Sequence, residues 1–218
     1  IESSPVIDDI LEIARDQRVQ VLNVSRREIE REARSEAPQG VLAKAAPLEE
    51  TLLADLLVAP RDKPLLLVAI DGVTDPGNLG AILRCCDGAG VDAVILPRHR
   101  AVHITPTVAK SSAGAIEYLN MCVVGGLPSA LSEMKSAGLV VVGLDDSAEK
   151  SIFELGAAAV ESICLVLGAE GSGLSRLARE RCDLLANIPM LGSLSSLNVS
   201  VAAALATYEI VRTRRISK

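Results

Sequence analysis

The chain has 218 residues, 49% of them hydrophobic, with 22 Lys/Arg against 28 Asp/Glu and a net charge of −6; that length holds one full-sized α/β core and a smaller appendage. Phe153, Tyr118 and Tyr208 are its only aromatics, which excludes RNA binders that stack bases on aromatic platforms and leaves phosphate, ribose and backbone contacts. The negative charge is concentrated in residues 1–60, with 7 Lys/Arg against 12 Asp/Glu, while residues 61–218 carry 15 against 16.

Residues 1–46 read as a small α/β fragment. Residues 7–16 are amphipathic, 19–22 read as a strand, Ser25-Arg26-Arg27-Glu28 opens a charged helix as a capping box, and 39–43 read as a closing strand. Residues 47–63 link onward, with a helix expected at 48–57. From Pro64 strands and helices alternate. Strands are expected at 65–70, 93–96, 121–124, 139–144, 163–167 and 184–188; helices at 79–89, 107–113, 128–137, 175–182 and 197–212, the last capped by Ser195 or Ser196. Continuous apolar strands alternating with helices predict an α/β fold, a mostly parallel sheet with helices on both faces.

Cys85, Cys86, Cys122, Cys164 and Cys182 show no CxxC spacing and read as reduced small hydrophobes. Their odd number and the lack of a leader segment point to the cytoplasm. No apolar stretch is long enough to span a membrane. The opening Ile, in place of Met, reads as a chain trimmed from a longer one. Local basic clusters at Arg98/Arg100/Lys110, Arg176/Arg179/Arg181 and Arg212/Arg214/Arg215 are open to two readings, solvated faces or contacts to a polyanion.

Three segments carry chemistry unusual for their place. The first, Asp71-Gly72-Val73-Thr74-Asp75-Pro76-Gly77-Asn78-Leu79-Gly80, leaves a strand and opens a helix that bears Arg84. The second, Gly168-Ala169-Glu170-Gly171-Ser172-Gly173, puts one carboxylate in a glycine turn after a buried strand. The third runs from Ile188-Pro189-Met190 to Ser195-Ser196-Leu197-Asn198-Val199-Ser200, a polar helix N-terminus. Each alone has an ordinary reading as turn, cap or surface. Together they lie where strands end, which is where open α/β sheets bind ligands.

In this order the three segments resemble the signature motifs of the SpoU (TrmH-type) RNA 2′-O-ribose methyltransferases of the SPOUT superfamily. Asn78-x-Gly80-x-x-x-Arg84 matches the first motif, Gly168-x-Glu170-Gly171-x-Gly173 the second, and Ile188-Pro189-Met190 with Ser196-Leu197-Asn198-Val199-Ser200 the third. Lys110-Ser111-Ser112-Ala113-Gly114-Ala115 resembles a further recurrent stretch. The resemblance covers roughly residues 64–215.

It implies a methyltransferase domain over 64–218 with a C-terminal deep trefoil knot, a homodimer, and S-adenosylmethionine as cofactor. It also implies that residues 1–46 are the latter part of an L30e-like RNA-binding domain whose front is absent. The substrate implied is the ribose of a 23S rRNA guanosine; a tRNA guanosine or an antibiotic-resistance site on rRNA are the alternatives. The catalytic set implied is Arg84, Asn78, Glu170, Ser196 and Asn198. Arg84 would act on the 2′-hydroxyl, Asn78 would orient the ribose or Arg84, and Glu170 would hold Arg84 or Asn198. Ser196 and Asn198 would offer an anion site at a helix N-terminus. Leu144, Gly168, Ile188, Met190 and Leu197 would enclose the cofactor.

Competing classes find less support. A nicotinamide-binding Rossmann site needs GxGxxG after the first strand and a P-loop needs Gly-Lys-Ser/Thr; neither occurs. His99 and His103 are the only histidines and sit in no metal-binding pattern. An RNA-binding scaffold without activity would not need Asn78, Arg84, Glu170, Ser196 and Asn198 together.

Overall fold

The computed structural model describes residues 4–33, 40–99 and 104–217. The chain divides after Pro47 into two units, Ile1–Pro47 and Leu48–Lys218.

In the first unit, helix α1 spans Pro5–Asp16, capped by Ser4, and α2 spans Arg26–Glu32. The capping box at Ser25 is present as expected: its hydroxyl accepts from Glu28 N–H while the Glu28 carboxylate accepts from Ser25 N–H at 2.8 Å. The strand expected at 19–22 is not formed; Val19, Val21 and Leu22 are exposed. Residues 40–43 form none either, and Gln39 lies outside the described residues. Among the described residues no neighbouring strand supplies ladder hydrogen bonds there, and an unpaired strand is not stable in water.

The second unit is built on a sheet of six strands, all parallel: β1 Leu66–Asp71, β2 Ala93–Pro97, β3 Asn120–Val124, β4 Val140–Leu144, β5 Ile163–Gly168 and β6 Leu184–Ala186, in the order β3-β2-β1-β5-β4-β6. Its helices are α3 Leu53–Val58, α4 Pro76–Ala89, α5 Pro106–Ser111, α6 Leu127–Ser136, α7 Ala157–Val160, α8 Arg176–Arg181 and α9 Val199–Ile216. Alternate β1 residues feed two cores. Leu66, Val68 and Ile70 pack with Leu79, Ile82 and Leu83 of α4 and Ala203, Ala206 and Ile210 of α9. Leu67 and Ala69 face α6 through Leu131 and Met134, with Leu53 of α3 and Ala178 of α8. Both faces are therefore covered, which is why the strands read as unbroken apolar runs. All three aromatics lie outside these cores and are exposed.

Local chemistry moves several boundaries. Helix α4 starts three residues before its expected position because Asp75 caps it, its carboxylate accepting from Asn78 N–H at 2.6 Å, and Pro76 fits the first turn. Only Leu53–Val58 of the expected 48–57 helix forms; before it, Thr51 N–H donates to Met121 O at 2.9 Å and the chain runs along the β3 edge. Strand β6 stops at Ala186, short of Ile188. The 3₁₀ turn Ile152–Glu154 and α7 were not anticipated.

At α9 the expected cap, Ser195 or Ser196, is corrected: Asn198 caps the helix, its Oδ1 accepting from Ser200 N–H at 2.9 Å. The helix runs past residue 212 because Arg214 is tied down. Its guanidinium donates to the carbonyls of Ala159, Pro64, Leu65 and Glu161 at 2.6–3.1 Å. Burial lowers its pKa from the usual guanidinium value.

The basic clusters are largely used within the fold. Arg176 pairs with Glu180, Arg179 with Asp145, Arg212 with Glu209 and Arg98 with Glu50. Arg100 lies outside the described residues. The five cysteines are free, and Cys86, Cys122 and Cys164 are buried as expected. Burial pushes the Cys122 thiol up to about 11 and the Cys182 thiol up to about 12. Among the described residues no helix is long and apolar enough to cross a membrane.

Candidate active site

From β1 the chain builds β2 and β3 to one side; β5 and β4 lie on the other. Such a reversal leaves a crevice beyond the carboxyl ends of the strands. A cavity of about 410 Å³ opens to one side of that reversal, beyond the carboxyl ends of β4, β5 and β6. All five residues expected around the cofactor line it: Leu144, Gly168, Ile188, Met190 and Leu197. Glu170 and Ser196 line it too, whereas Asn78, Arg84 and Asn198 do not.

The turn that carries Glu170 is shaped by contact. Ala169 and Gly173 exchange backbone hydrogen bonds of 2.9 and 3.0 Å, folding residues 169–173 back over the strand end. A Cβ on Gly168 would lie 2.3 Å from the carbonyl carbon of Gly173, so only glycine lets this loop close. In the first motif, a Cβ on Gly80 would lie 1.8 Å from Ser111 Oγ. That close approach seats α5 on α4, with the Ser111 hydroxyl donating to Pro76 O at 3.2 Å. The Lys110-Ser111-Ser112 stretch thus supports the helix that carries Asn78.

Side chains from the three motifs meet at the rim. Asn78 Nδ2 donates to Glu170 Oε2 at 3.2 Å, and Asn198 Nδ2 donates to Asn78 Oδ1 at 2.9 Å. Asn198 Oδ1 in turn accepts from Ser200 N–H and Oγ–H at 2.9 and 2.6 Å. The polarity of the chain is forced, since an ionised carboxylate only accepts and each amide then passes its oxygen to the next donor. Glu170 was expected to hold Arg84 or Asn198; it holds Asn78, and reaches Asn198 only through it. Arg84, exposed on α4, makes no hydrogen bond or ion pair with a described residue.

A second polar group was not anticipated. At the end of β4 the Asp145 carboxylate accepts from Arg179 Nη1 at 2.6 Å and from Ser147 N–H at 2.9 Å; Arg179 Nη2 donates to Ser147 Oγ at 3.1 Å. All three residues line the cavity. Their only sequence signal is the place of Asp145 just after a strand, and nothing local marks Arg179 as its partner. Among the described residues no group of three or more His, Cys, Asp or Glu could hold a metal ion.

Fold and site define an open α/β protein with a cavity beyond the carboxyl ends of its strands. The SpoU rRNA methylase family matches residues 65–208, and a family described as RNA 2′-O ribose methyltransferase substrate binding matches residues 2–51. The chain belongs to the SpoU rRNA methylase family. It is 40% identical over 219 residues to a Pseudomonas putida protein named 23S rRNA (guanosine-2′-O-)-methyltransferase RlmB, covering 99% of this chain and 87% of the relative. It is 43% identical to the Pseudomonas aeruginosa protein of the same name, covering 96% and 84%. Among solved structures, the SpoU methyltransferase AviRb from Streptomyces viridochromogenes, in complex with the cofactor AdoMet, is similar at 33% identity and TM-score 0.65, over 73% of this chain and 64% of that one. An AdoMet-bound rRNA methyltransferase from Sinorhizobium meliloti shares the fold at TM-score 0.77 and 23% identity, over 95% of this chain and 77% of that one.

Proposed function

We propose that this chain transfers a methyl group from S-adenosylmethionine to a ribose 2′-hydroxyl of RNA, and that the ribose is that of a guanosine in 23S rRNA. The observation that carries the reading is the Glu170–Asn78–Asn198 chain at the rim of the cavity, three motifs joined by two hydrogen bonds. The relatives named for guanosine methylation of 23S rRNA supply the substrate.

The cavity suits the cofactor. Its volume of about 410 Å³ falls in the range of small-molecule sites. Leu144, Ile188, Met190 and Leu197 offer an apolar enclosure, and Gly168 lies in the wall between them. Bound there, S-adenosylmethionine supplies an electrophilic methyl group.

The protein's part is to orient the ribose and manage its proton. Asn78, fixed from both sides, presents a rigid amide edge at the rim. Arg84 acts as a cation: its guanidinium can hold an RNA phosphate and stabilise oxyanion character. Arg84 does not line the cavity of its own chain, which supports a site completed where two subunits meet. The exposed apolar face of α9, with Val201, Leu205 and Tyr208 beside Phe153, supports a homodimer. The same reading includes a trefoil knot in the segment leading to α9, an L30e-like role in RNA binding for the first unit, a site without metal, and work in the cytoplasm.

Methyl transfer from radiolabelled S-adenosylmethionine to 23S rRNA and to tRNA, followed by mapping of ribose methylation, tests the proposal. Label at one guanosine ribose of 23S rRNA is expected. Label confined to tRNA overturns the substrate, and cofactor binding with no transfer to any RNA overturns the enzyme reading.

A further inference from the structure

We infer that the Arg179–Asp145 ion pair is a positioning device, which braces the loop after β4 against α8 and so fixes the wall on which the cofactor lies. The inference rests on the reading of the cavity as the cofactor site. Asp145 lines the cavity, yet its side chain is only 7% exposed. Its backbone N–H donates to Ala186 O on β6 at 3.0 Å, while its carboxylate is held by Arg179 and Ser147. The loop is thereby anchored by main chain on one side and by an ion pair on the other.

A carboxylate so buried is held by its counter-charge; removing Arg179 leaves only the Ser147 hydrogen bonds on it and loosens the loop. Leu144, the residue before it, is part of the apolar enclosure and would move with it. The neighbouring pair on the same helix, Arg176–Glu180, differs: its side chains are 78% and 53% exposed and neither lines the cavity. It should behave as an ordinary solvated pair.

Position separates the brace from the methyl transfer. Asp145 follows β4, whereas Asn78 and Glu170 follow β1 and β5, and β5 lies between β4 and β1. Two strand spacings, about 10 Å, divide the ends of β4 and β1. Loosening the brace should therefore weaken S-adenosylmethionine and its demethylated product, S-adenosylhomocysteine, alike.

Calorimetric titration of both ligands into wild type, Arg179→Leu, Arg179→Lys and Arg176→Leu tests this, with a urea melt of each protein. Arg179→Leu is expected to weaken both ligands by roughly tenfold and equally, through lost preorganisation. Arg179→Lys should recover most of that loss, Arg176→Leu should bind like wild type, and the transfer rate at saturating cofactor should stay within about threefold. If Arg179→Leu does not fold, Asp145→Asn replaces it, with a loss of several-fold expected for both ligands. Unchanged affinity in the variant, or an equal loss in Arg176→Leu, overturns the brace alone. A wild type that binds neither ligand overturns the cofactor reading and this inference with it.

Discussion

Asn78 uses both ends of its amide, donating to Glu170 and accepting from Asn198. Asn78→Asp would keep the acceptor but set a carboxylate against Glu170, so methyl transfer should fall at least a hundredfold. Adding Glu170→Gln restores a donor opposite the new carboxylate and should recover part of the rate; a double variant no better than the single one refutes the polarity of this chain. Arg84→Ala should reduce transfer by about a thousandfold while leaving cofactor affinity within twofold, because the side chain stands away from the cavity. Equal losses in transfer assays and calorimetry would refute that role. The three motifs were legible in the sequence as turns beyond strands, and the fold brings Asn78, Glu170 and Asn198 from them into contact. Their pairing was not, since Asn78 lies 92 residues from Glu170 and 120 from Asn198. Asp145 and Arg179, 34 residues apart and in no motif, become partners only once β4 and α8 are placed in space.

Elements were legible where one physical signal dominated. β1, β2 and β5 are buried on both faces and announce themselves as unbroken apolar runs, each found within about a residue. Boundaries failed where several residues could do the same job: Ser195, Ser196 and Asn198 are all competent caps for α9, and only the fold selects Asn198. The extent of α9 depends on a tertiary contact, the Arg214 guanidinium on four carbonyls near the starts of β1 and β5. Arg214→Leu strips those acceptors and should cost about 3 kcal/mol in urea unfolding. A loss under 1 kcal/mol would show that water replaces the guanidinium. Gly168→Ala belongs to this scale as well, since a methyl 2.3 Å from the Gly173 backbone must push the turn off the strand end. Cofactor affinity should drop at least tenfold, with a smaller change in thermal midpoint.

Over the whole molecule, the unusual feature is a core made almost entirely of Leu, Ile, Val, Ala, Met and Cys. Its thiols make stability depend on alkaline pH. Burial raises Cys122 to about 11 and Cys182 to about 12 from an ordinary 9.0, and raises Cys86 and Cys164 as well. A group whose folded pKa is raised contributes in full below its unfolded value and loses that contribution as pH climbs through the folded one. The thiols' contribution to unfolding free energy should therefore be flat to about pH 8 and decline from about pH 9 to 12, and Cys122→Ala should flatten part of that decline. A pH-independent urea midpoint across this interval would show that the thiols stay neutral in the unfolded chain too.

The placement of the aromatics also governs how the protein can be watched. With no Trp, and with Tyr118 and Tyr208 81% and 50% exposed, the interior holds no chromophore. Ultraviolet emission will hardly register folding, whose progress must be followed by far-ultraviolet dichroism or methyl resonances. Tyr208, on the apolar flank of α9, is instead a built-in optical reporter of whatever comes to rest against that helix.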